Sequence, residues 1–449
     1  MQIGIIGAGA SGISVGAFLE KFSKTKCDVT VLEKDNGIGG HSSSFFIDGF
    51  TFDKGPHILF SRDKEVLNFL VNSLGDNVVK SKRNSRVYVD GEYALYPLEN
   101  DLNSINPKLA ADIVIEILNL DQDSSKPKNL DEWFRVHFGN ILTELYFKPY
   151  NEKIWNVDFS KLSMSWADRI PLPSKEDIIR GAIGDVKEGY THQLYFYYPK
   201  NGGYSAIPES LLQYFQGKIQ LNFEINKITV SDRKIQVFSD KDNLTFDKLI
   251  TTMPISKLVE IFEDIDPEII QLSKTLIVNP MYIISFGFQG EIGHTMSAGY
   301  YADPKYLINR VSFPKNFSNT TCPDGCYSVQ AEITLKQGTT KDKYSDQFLV
   351  EDTLKMLKET KAIPKDAIPL FSKVDFFDYA YVVYDVDYEK RLNVIKKYFE
   401  DRNIFLHGRF GSHNYLNIDG CVIESKKLTE KILDEKVDLS FFSTKLLIK

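Results

Sequence analysis

Three glycines, Gly7, Gly9 and Gly12, hold the spacing G-x-G-x-x-G between an apolar run, Gln2-Ile3-Gly4-Ile5-Ile6, and a stretch of helical periodicity from Ile13 onward. In that context each glycine has a physical task. Gly7 permits a tight turn, Gly9 lets backbone approach a pyrophosphate, and Gly12 lets the helix pack on the strand. Ala10 and Ser11 open the helix, whose free N–H groups and partial positive charge suit phosphate. About 20 residues on, Glu33 closes a second apolar run, where a carboxylate accepts from ribose hydroxyls and disfavours a 2′-phosphate. The chemistry these residues point to is the binding of a dinucleotide.

The residues after Glu33 narrow the dinucleotide. The chain continues Lys34-Asp35-Asn36-Gly37-Ile38-Gly39-Gly40-His41, a second glycine pair just after the acidic residue. This pattern resembles the flavoprotein family of amine oxidases, protoporphyrinogen oxidases, phytoene desaturases and UDP-galactopyranose mutases, and the resemblance implies FAD rather than NAD. Lys34, Gly39, Gly40 and His41 then belong with Gly7 to Gly12 and Glu33 as cofactor contacts, joined by Ile225 further along.

Further segments resemble the mutase branch of that family. Gly55-Pro56-His57-Ile58-Leu59-Phe60-Ser61 is similar to its histidine loop beside the flavin, and Tyr96-Pro97-Leu98-Glu99-Asn100 to its Y-P-F-Q-N segment. Pro149-Tyr150-Asn151-Glu152-Lys153-Ile154-Trp155, with Trp166 and Arg169, is similar to P-Y-N-x-K-x-W…W…R. Gly408-Arg409-Phe410-Gly411-Ser412, then Tyr415, is similar to G-R-F-G-S-x-x-Y. Matches at both ends and in the middle imply a resemblance over the whole chain.

Carried over residue by residue, the resemblance implies that Arg169 and Arg310 bind the diphosphate of a nucleotide-sugar, by the forked, charge-assisted bonds that guanidiniums make to phosphate. Tyr381, with Tyr384 as the alternative, and Tyr415 would donate hydroxyls to the same group. Tyr146 takes the place of an aromatic that stacks on uracil, and Asn151 and Trp155 complete the substrate side. His57 would stand at the reactive edge of the flavin and Arg409 near it, a cation favouring the reduced, anionic ring. The implied reaction interconverts pyranose and furanose forms of an NDP-hexose, a UDP-sugar first, through attack of reduced flavin N5 on the anomeric carbon. His57, Arg169 and Arg310 would carry that catalysis, and an external reductant must supply the flavin's electrons.

Departures keep other readings open. Leu98 and Glu99 replace the branch's Phe and Gln, which places a carboxylate near a base or ribose and favours a donor-rich base. Gly202-Gly203-Tyr204-Ser205-Ala206 is closer to the oxidases and desaturases, so an FAD-dependent oxidase remains an alternative. A non-catalytic relative of the Rab GDP-dissociation inhibitors is a third. Cys322 and Cys326, spaced C-x3-C, and the pair Asp385 and Asp387 in D-V-D have the look of partial metal sites. No second Cys or His pair accompanies the former, and the latter precedes a helix where Asp is expected near the N-cap, so no metal is expected.

These residues need elements to hold them. Strand, glycine turn, helix and strand within about 30 residues form a βαβ unit whose parallel sheet is covered on both faces. Helical periodicity marks 64–74, 108–120, 130–146, 346–359 and 421–434; strands are expected at 218–223, 227–230, 234–238, 249–252, 282–289, 327–334 and 404–407, and a strand pair near 194–198. The fold class is α/β: a Rossmann-type FAD-binding domain (1–70, 200–260, 385–449), a mainly helical insertion (71–199) and an antiparallel substrate sheet in a mixed α/β domain (261–384). The 449 residues carry 54 Lys and Arg against 61 Asp and Glu, a net charge of −7 that disfavours a nucleic-acid partner. Four cysteines make no disulfide framework. No run reaches the ~18 apolar residues of a membrane span, and no basic, apolar leader precedes the first strand, so a cytoplasmic location is expected.

Overall fold

In the computed structural model, which describes residues 1–25, 27–121, 126–170, 172–185 and 194–442, the expected α/β architecture is present. Strand β1 (Gln2–Ile6) is the centre of a five-stranded, wholly parallel sheet. Its order in space is Ile404–Leu406, Lys248–Thr251, β1, β2 (Asp28–Leu32) and Lys218–Gln220. Parallel strands need crossovers and two covered faces; helix α1 (Ala10–Phe22) makes the crossover from β1 to β2 and covers one face. Every residue of α1 from Ala10 to Leu19 is buried, because the helix lies between the sheet and the helix Ile418–Leu433. Close approach is possible because α1 is thin on its sheet side: a Cβ at Gly16 would lie 3.3 Å from Ile5 Cδ1 of β1.

A seven-stranded sheet forms the second layer, in the order Pro369–Val383, Ile277–Gln289, Cys326–Thr334, Arg310–Ser312, Ala298–Tyr301, Ser85–Val89 and Glu92–Leu95. It is antiparallel except where Ala298–Tyr301 pairs in parallel with 85–88. The last two strands come from the stretch expected to be mainly helical. The sequence of the first, Ser-Arg-Val-Tyr-Val, alternates buried and half-buried positions, the period of a strand rather than of a helix.

Three other elements differ from expectation for local reasons. The helical stretch at 130–146 is interrupted: Gly139 adopts φ 80°, ψ 176° inside Leu130–Leu142, and a π-helical turn, Thr143–Phe147, comes before the helix Lys148–Trp155. Glu116 makes the break, since its carboxylate accepts from Asn140 N and Ile141 N at 2.8 Å each and caps the restarted helix. The strand Tyr195–Tyr198 pairs not with a neighbour in sequence but with Val79–Lys82. The strand expected over 218–223 stops at Gln220, because Asn222 takes φ 53° and Phe223 turns to donate its N–H to Glu33 O.

Function in such sheets sits where the strands end. The carboxyl ends of β1 and β2 deliver the Gly7 turn and Glu33, and the strand Ile404–Leu406 runs into Gly408 and Arg409. The long strand Pro369–Val383 carries Tyr381 toward the same region. Among the described residues no helix is long and apolar enough to cross a membrane.

Candidate active site

The glycine turn is built as the spacing demands. Gly7 holds φ 98°, and a Cβ at Gly12 would fall 2.0 Å from Gly7 O, so the first turn of α1 can lie against β1 only without side chains there. Gly9 is the N-cap; no side chain caps the helix and no acid stands in its first turn. Beside it Gly39 and Gly40 run with positive φ, and Gly39 N donates to Ala8 O. Glu33, 7% exposed, accepts from Ala8 N at 2.8 Å and Asp35 N at 3.0 Å, one on each oxygen. Each oxygen retains a lone pair, so the carboxylate both braces the turn and can take a ribose hydroxyl. An uncapped, acid-free helix start cradled by bare backbone fits the diphosphate of a dinucleotide. A Cβ at Gly9 would meet only Gly39 O, at 3.8 Å. Gly9→Ala should therefore change stability by less than about 1 kcal/mol while lowering bound cofactor severalfold, which absorbance and thermal melting of one preparation will measure together.

Above the turn, His41, His57 and Arg409 meet. His41 lines an internal cleft, its surface open although protein surrounds it. Burial pushes its pKa to about 4, so the ring is neutral and Nε2 donates to Tyr379 O at 2.6 Å. His57 rests on Tyr204 (ring centroids 5.2 Å apart) and over Gly55, where a Cβ would lie 2.9 Å from its Cε1. Burial first, then the cations Arg310 and Arg409, lower its pKa to about 3. A neutral imidazole results, and its Nδ1 is buried without a partner among the described residues. Arg409 donates to Leu416 O and Ala380 O and lies 4.0 Å from the centre of the Tyr415 ring. Ile225, buried, begins the strand just after Phe223 behind Glu33, and Lys34 is exposed at the end of β2.

The substrate-side residues divide into those whose polar atoms are open and those already engaged. Arg310 and Glu332 stand opposite one another across two antiparallel strands. Arg310 Nε donates to Glu332 Oε1 at 2.7 Å, a second nitrogen reaches the same carboxylate and Pro56 O, and Nη1 has no partner among the described residues. The other oxygen of Glu332 accepts from Tyr381 OH at 3.0 Å. Arg169 is exposed, donates to Tyr415 O and lies over the Tyr415 ring, which stacks on Tyr381. The two guanidiniums thus flank one tyrosine cluster.

Three of the expected residues have their polar side-chain atoms engaged within the protein. Tyr381 is expected to donate to phosphate, yet its one proton is held by Glu332. Tyr384 gives its proton to Asn414 Oδ1 at 2.5 Å and accepts from Tyr415 N, which leaves no donor for a ligand. Asn151 donates to Phe147 O and accepts from Trp155 Nε1, one turn away on its own helix. Trp155 is buried against Trp166, Tyr381 and Tyr415.

Tyr146 belongs to a buried aromatic cluster that the sequence does not delineate. It stacks on Tyr150, which meets Tyr300 edge to face, and Tyr300 packs on Tyr96. Arg83 donates to Tyr300 OH at 3.0 Å and lies over Tyr96; Arg310 is close enough to act electrostatically on Tyr150 and Tyr300. Glu332 is likewise absent from the residues that sequence reasoning singles out. The strand Cys326–Thr334 alternates Ser328, Gln330, Glu332 with Val329, Ala331, Ile333, and every one is buried. Polar residues at every second position of such a strand are the signal, since buried polar groups need partners. Cys322 and Cys326 are buried thiols packed with Phe50 and Phe52; Asp385 pairs with Arg391 and Asp387 with Lys390.

Known proteins share this fold. The profile of the family described as flavin containing amine oxidoreductase matches residues 10–421. The chain is 22% identical to coproporphyrinogen III oxidase of Staphylococcus aureus, over 97% of this chain and 99% of that protein. In backbone it is similar to a crystal structure of reduced UDP-galactopyranose mutase, with a TM-score of 0.88 at 21% identity, covering 99% of this chain and 96% of that one. It is also similar to a putative protoporphyrinogen oxidase from Exiguobacterium sp., with a TM-score of 0.77 at 18% identity over 96% and 98% of the two chains.

Proposed function

We infer the work of this chain from the premise that it belongs to the flavin containing amine oxidoreductase family, and so is a flavin enzyme. The function its site supports best is the interconversion of pyranose and furanose forms of an NDP-hexose, with FAD as the flavin. The observation that carries this reading is the placing of two guanidiniums, Arg169 and Arg310, on either side of one tyrosine cluster beside the cleft. An anion next to an aromatic ring is the ligand such a site fits, and a nucleoside diphosphate is both.

FAD would be held by Gly9, Ala10, Ser11 and Gly12 at its diphosphate, Glu33 at its ribose, and Gly39, Gly40, His41, His57 and Arg409 toward its ring. When bound and reduced, it supplies an electron-rich ring nitrogen for chemistry at a sugar's anomeric carbon. The chain itself binds and orients. Arg169 forks onto phosphate oxygens and the free Nη1 of Arg310 donates to one, Tyr146 and Tyr150 give a stacking face, and neutral His57 offers Nδ1 for a hydrogen bond within the cleft. Glu332 fixes the plane of Arg310 so that its open edge has one direction.

The protein should purify yellow and release FAD rather than FMN on denaturation, because only a dinucleotide uses both the turn and Glu33. Chromatography of the released flavin decides this, and FMN alone would reject the assignment. A second reading, oxidation of a porphyrinogen, is favoured by the similarity in sequence to coproporphyrinogen III oxidase along the whole chain. The two readings differ in the redox state they require.

A further inference from the structure

The segment Gly202-Gly203-Tyr204-Ser205-Ala206, which departs from the mutase branch, has no part in the chemistry proposed above, yet its tyrosine packs directly against His57. The imidazole depends on such a neighbour. Its Nδ1 has no partner among the described residues, so the orientation of the ring rests on what packs against it. Gly55, held at φ 119°, does so through its backbone, and Tyr204 does so through its ring, with centroids 5.2 Å and planes 27° apart. Tyr204 is 2% exposed, and its hydroxyl reaches Ile58 O at 3.5 Å, a marginal bond. The tyrosine ring is therefore placed by its backbone.

That backbone is anchored by a buried carboxylate. Asp53 is 3% exposed; its Oδ1 accepts from Tyr204 N at 2.9 Å and Ser44 Oγ at 2.7 Å, and its Oδ2 from Tyr198 OH at 2.9 Å. Ser44 Oγ accepts in turn from Ser205 N at 3.0 Å. Two successive N–H groups of the turn are thus bound to Ser44 and Asp53, which face one another across the hairpin of Ser44–Ile47 and Phe50–Asp53. The contact is tight: Gly203 holds φ 63°, and a Cβ there would lie 2.4 Å from Ser44 Oγ. Asp53 also begins the loop that carries His57, and its carbonyl accepts from Gln330 Nε2 at 3.0 Å. One residue fixes both the histidine loop and the turn whose ring lies against it, and a carboxylate with its donors so supplied is a rigid anchor. We propose, resting on the place given to His57 in the cleft above, that Asp53 and Tyr204 are positioning residues for His57. Asp53 holds the Gly202–Ser205 turn, the turn sets the Tyr204 ring, and the ring gives Nδ1 of His57 one direction.

The test reads His57 itself, by magnetic resonance of flavin-loaded protein with isotope-labelled histidine rings; the His57 signals are those lost in His57→Gln. Tyr204→Leu should shift these signals, because the ring current of Tyr204 is gone, and broaden them, because the imidazole gains a second orientation. Tyr204→Phe keeps the ring and the N–H and should leave the signals in place. Asp53→Ala should shift them by displacing the ring. Asp53→Asn should restore them, since an amide oxygen accepts from Ser44 Oγ and Tyr204 N while its nitrogen donates to the Tyr198 phenol. In an isomerisation assay Tyr204→Leu should lower the rate on the order of tenfold, and should have no further effect in a His57→Ala background. An equal loss in both backgrounds overturns the proposal, as do His57 signals unmoved by Tyr204→Leu or by Asp53→Ala. If Asp53→Ala does not fold, Ser44→Ala removes one arm of the same anchor and should give a smaller shift; no shift there overturns the role of Asp53. Wild-type protein without isomerising activity rejects the nucleotide-sugar reading, while the resonance shifts still decide how His57 is positioned.

Discussion

Arg310→Ala is expected to lower stability by about 3–5 kcal/mol, although the sequence presents Arg310 as a ligand-binding and catalytic residue. The reason is Glu332. Its side chain is 1% exposed, and among the described residues Arg310 is its only cation. Removing the guanidinium leaves a buried carboxylate with Tyr381 OH as its remaining side-chain donor, and a charge left unpaired in the interior costs far more than the pair contributed. The same substitution in a Glu332→Gln background should cost much less, since Gln is neutral and Tyr381 can still donate to it. Thermal melting of the two single variants and the double variant gives the coupling directly. Costs that simply add would mean that the pair is screened by water and that Arg310 is an ordinary half-exposed side chain. If the coupling is found, weak diphosphate binding by Arg310→Ala has to be measured at a temperature where the variant is folded before it is attributed to phosphate.

This pair also shows where the sequence stops being readable. The glycine turn is legible because its demands are local: Gly7, Gly9 and Gly12 are fixed by the backbone within six positions, and Glu33 by the strand it closes. The helix Asp346–Glu359 falls at its expected bounds for the same reason, its apolar period and its Ser345 cap being contiguous. Arg310 and Glu332 are joined only by strand register, which depends on turns between them that carry no distinctive signal. Glu116 is similar: its role as a cap for a helix 24 residues on is invisible until two helices are packed. Tyr381 and Tyr384 do lie in the tyrosine cluster, but whether a phenol is open or engaged depends on Glu332 and Asn414, each distant in sequence.

The largest expected effect concerns redox state, because binding alone does not separate the two functional readings. Arg169 and Arg310 would anchor the carboxylates of a porphyrinogen by the same kind of charge-assisted bond proposed for a diphosphate, so competition by either ligand class leaves the reaction undecided. The direction of electron flow decides it. Interconversion of sugar ring forms changes no oxidation state: substrate and product have the same hydrogens, no oxidant is consumed, and the cofactor must already be reduced. Porphyrinogen oxidation removes hydrogens from the substrate, begins with oxidised cofactor and, in air, yields peroxide. The two activities should therefore respond oppositely to dithionite. In an anaerobic vessel, reduced protein with its NDP-hexose should form the furanose isomer at least about a hundredfold faster than the oxidised protein, a barrier difference of about 2.7 kcal/mol or more. Peroxide should stay at background, and coproporphyrinogen should give no porphyrin fluorescence above its spontaneous rate. His57 adds a second discriminator from the chain's own chemistry. Burial beside Arg310 and Arg409 keeps its ring neutral, with a pKa of about 3, so it can donate or accept one hydrogen bond but cannot act as a cationic acid near pH 7. His57→Gln retains a hydrogen-bonding amide in the cleft and should preserve more of the isomerising activity than His57→Ala, whereas a role in removing substrate protons would make the two variants equally inactive. Activity that needs oxidised cofactor, consumes oxygen and is indifferent to every nucleotide-sugar would transfer the whole site to the porphyrinogen reading, with Arg169 and Arg310 as its carboxylate anchors.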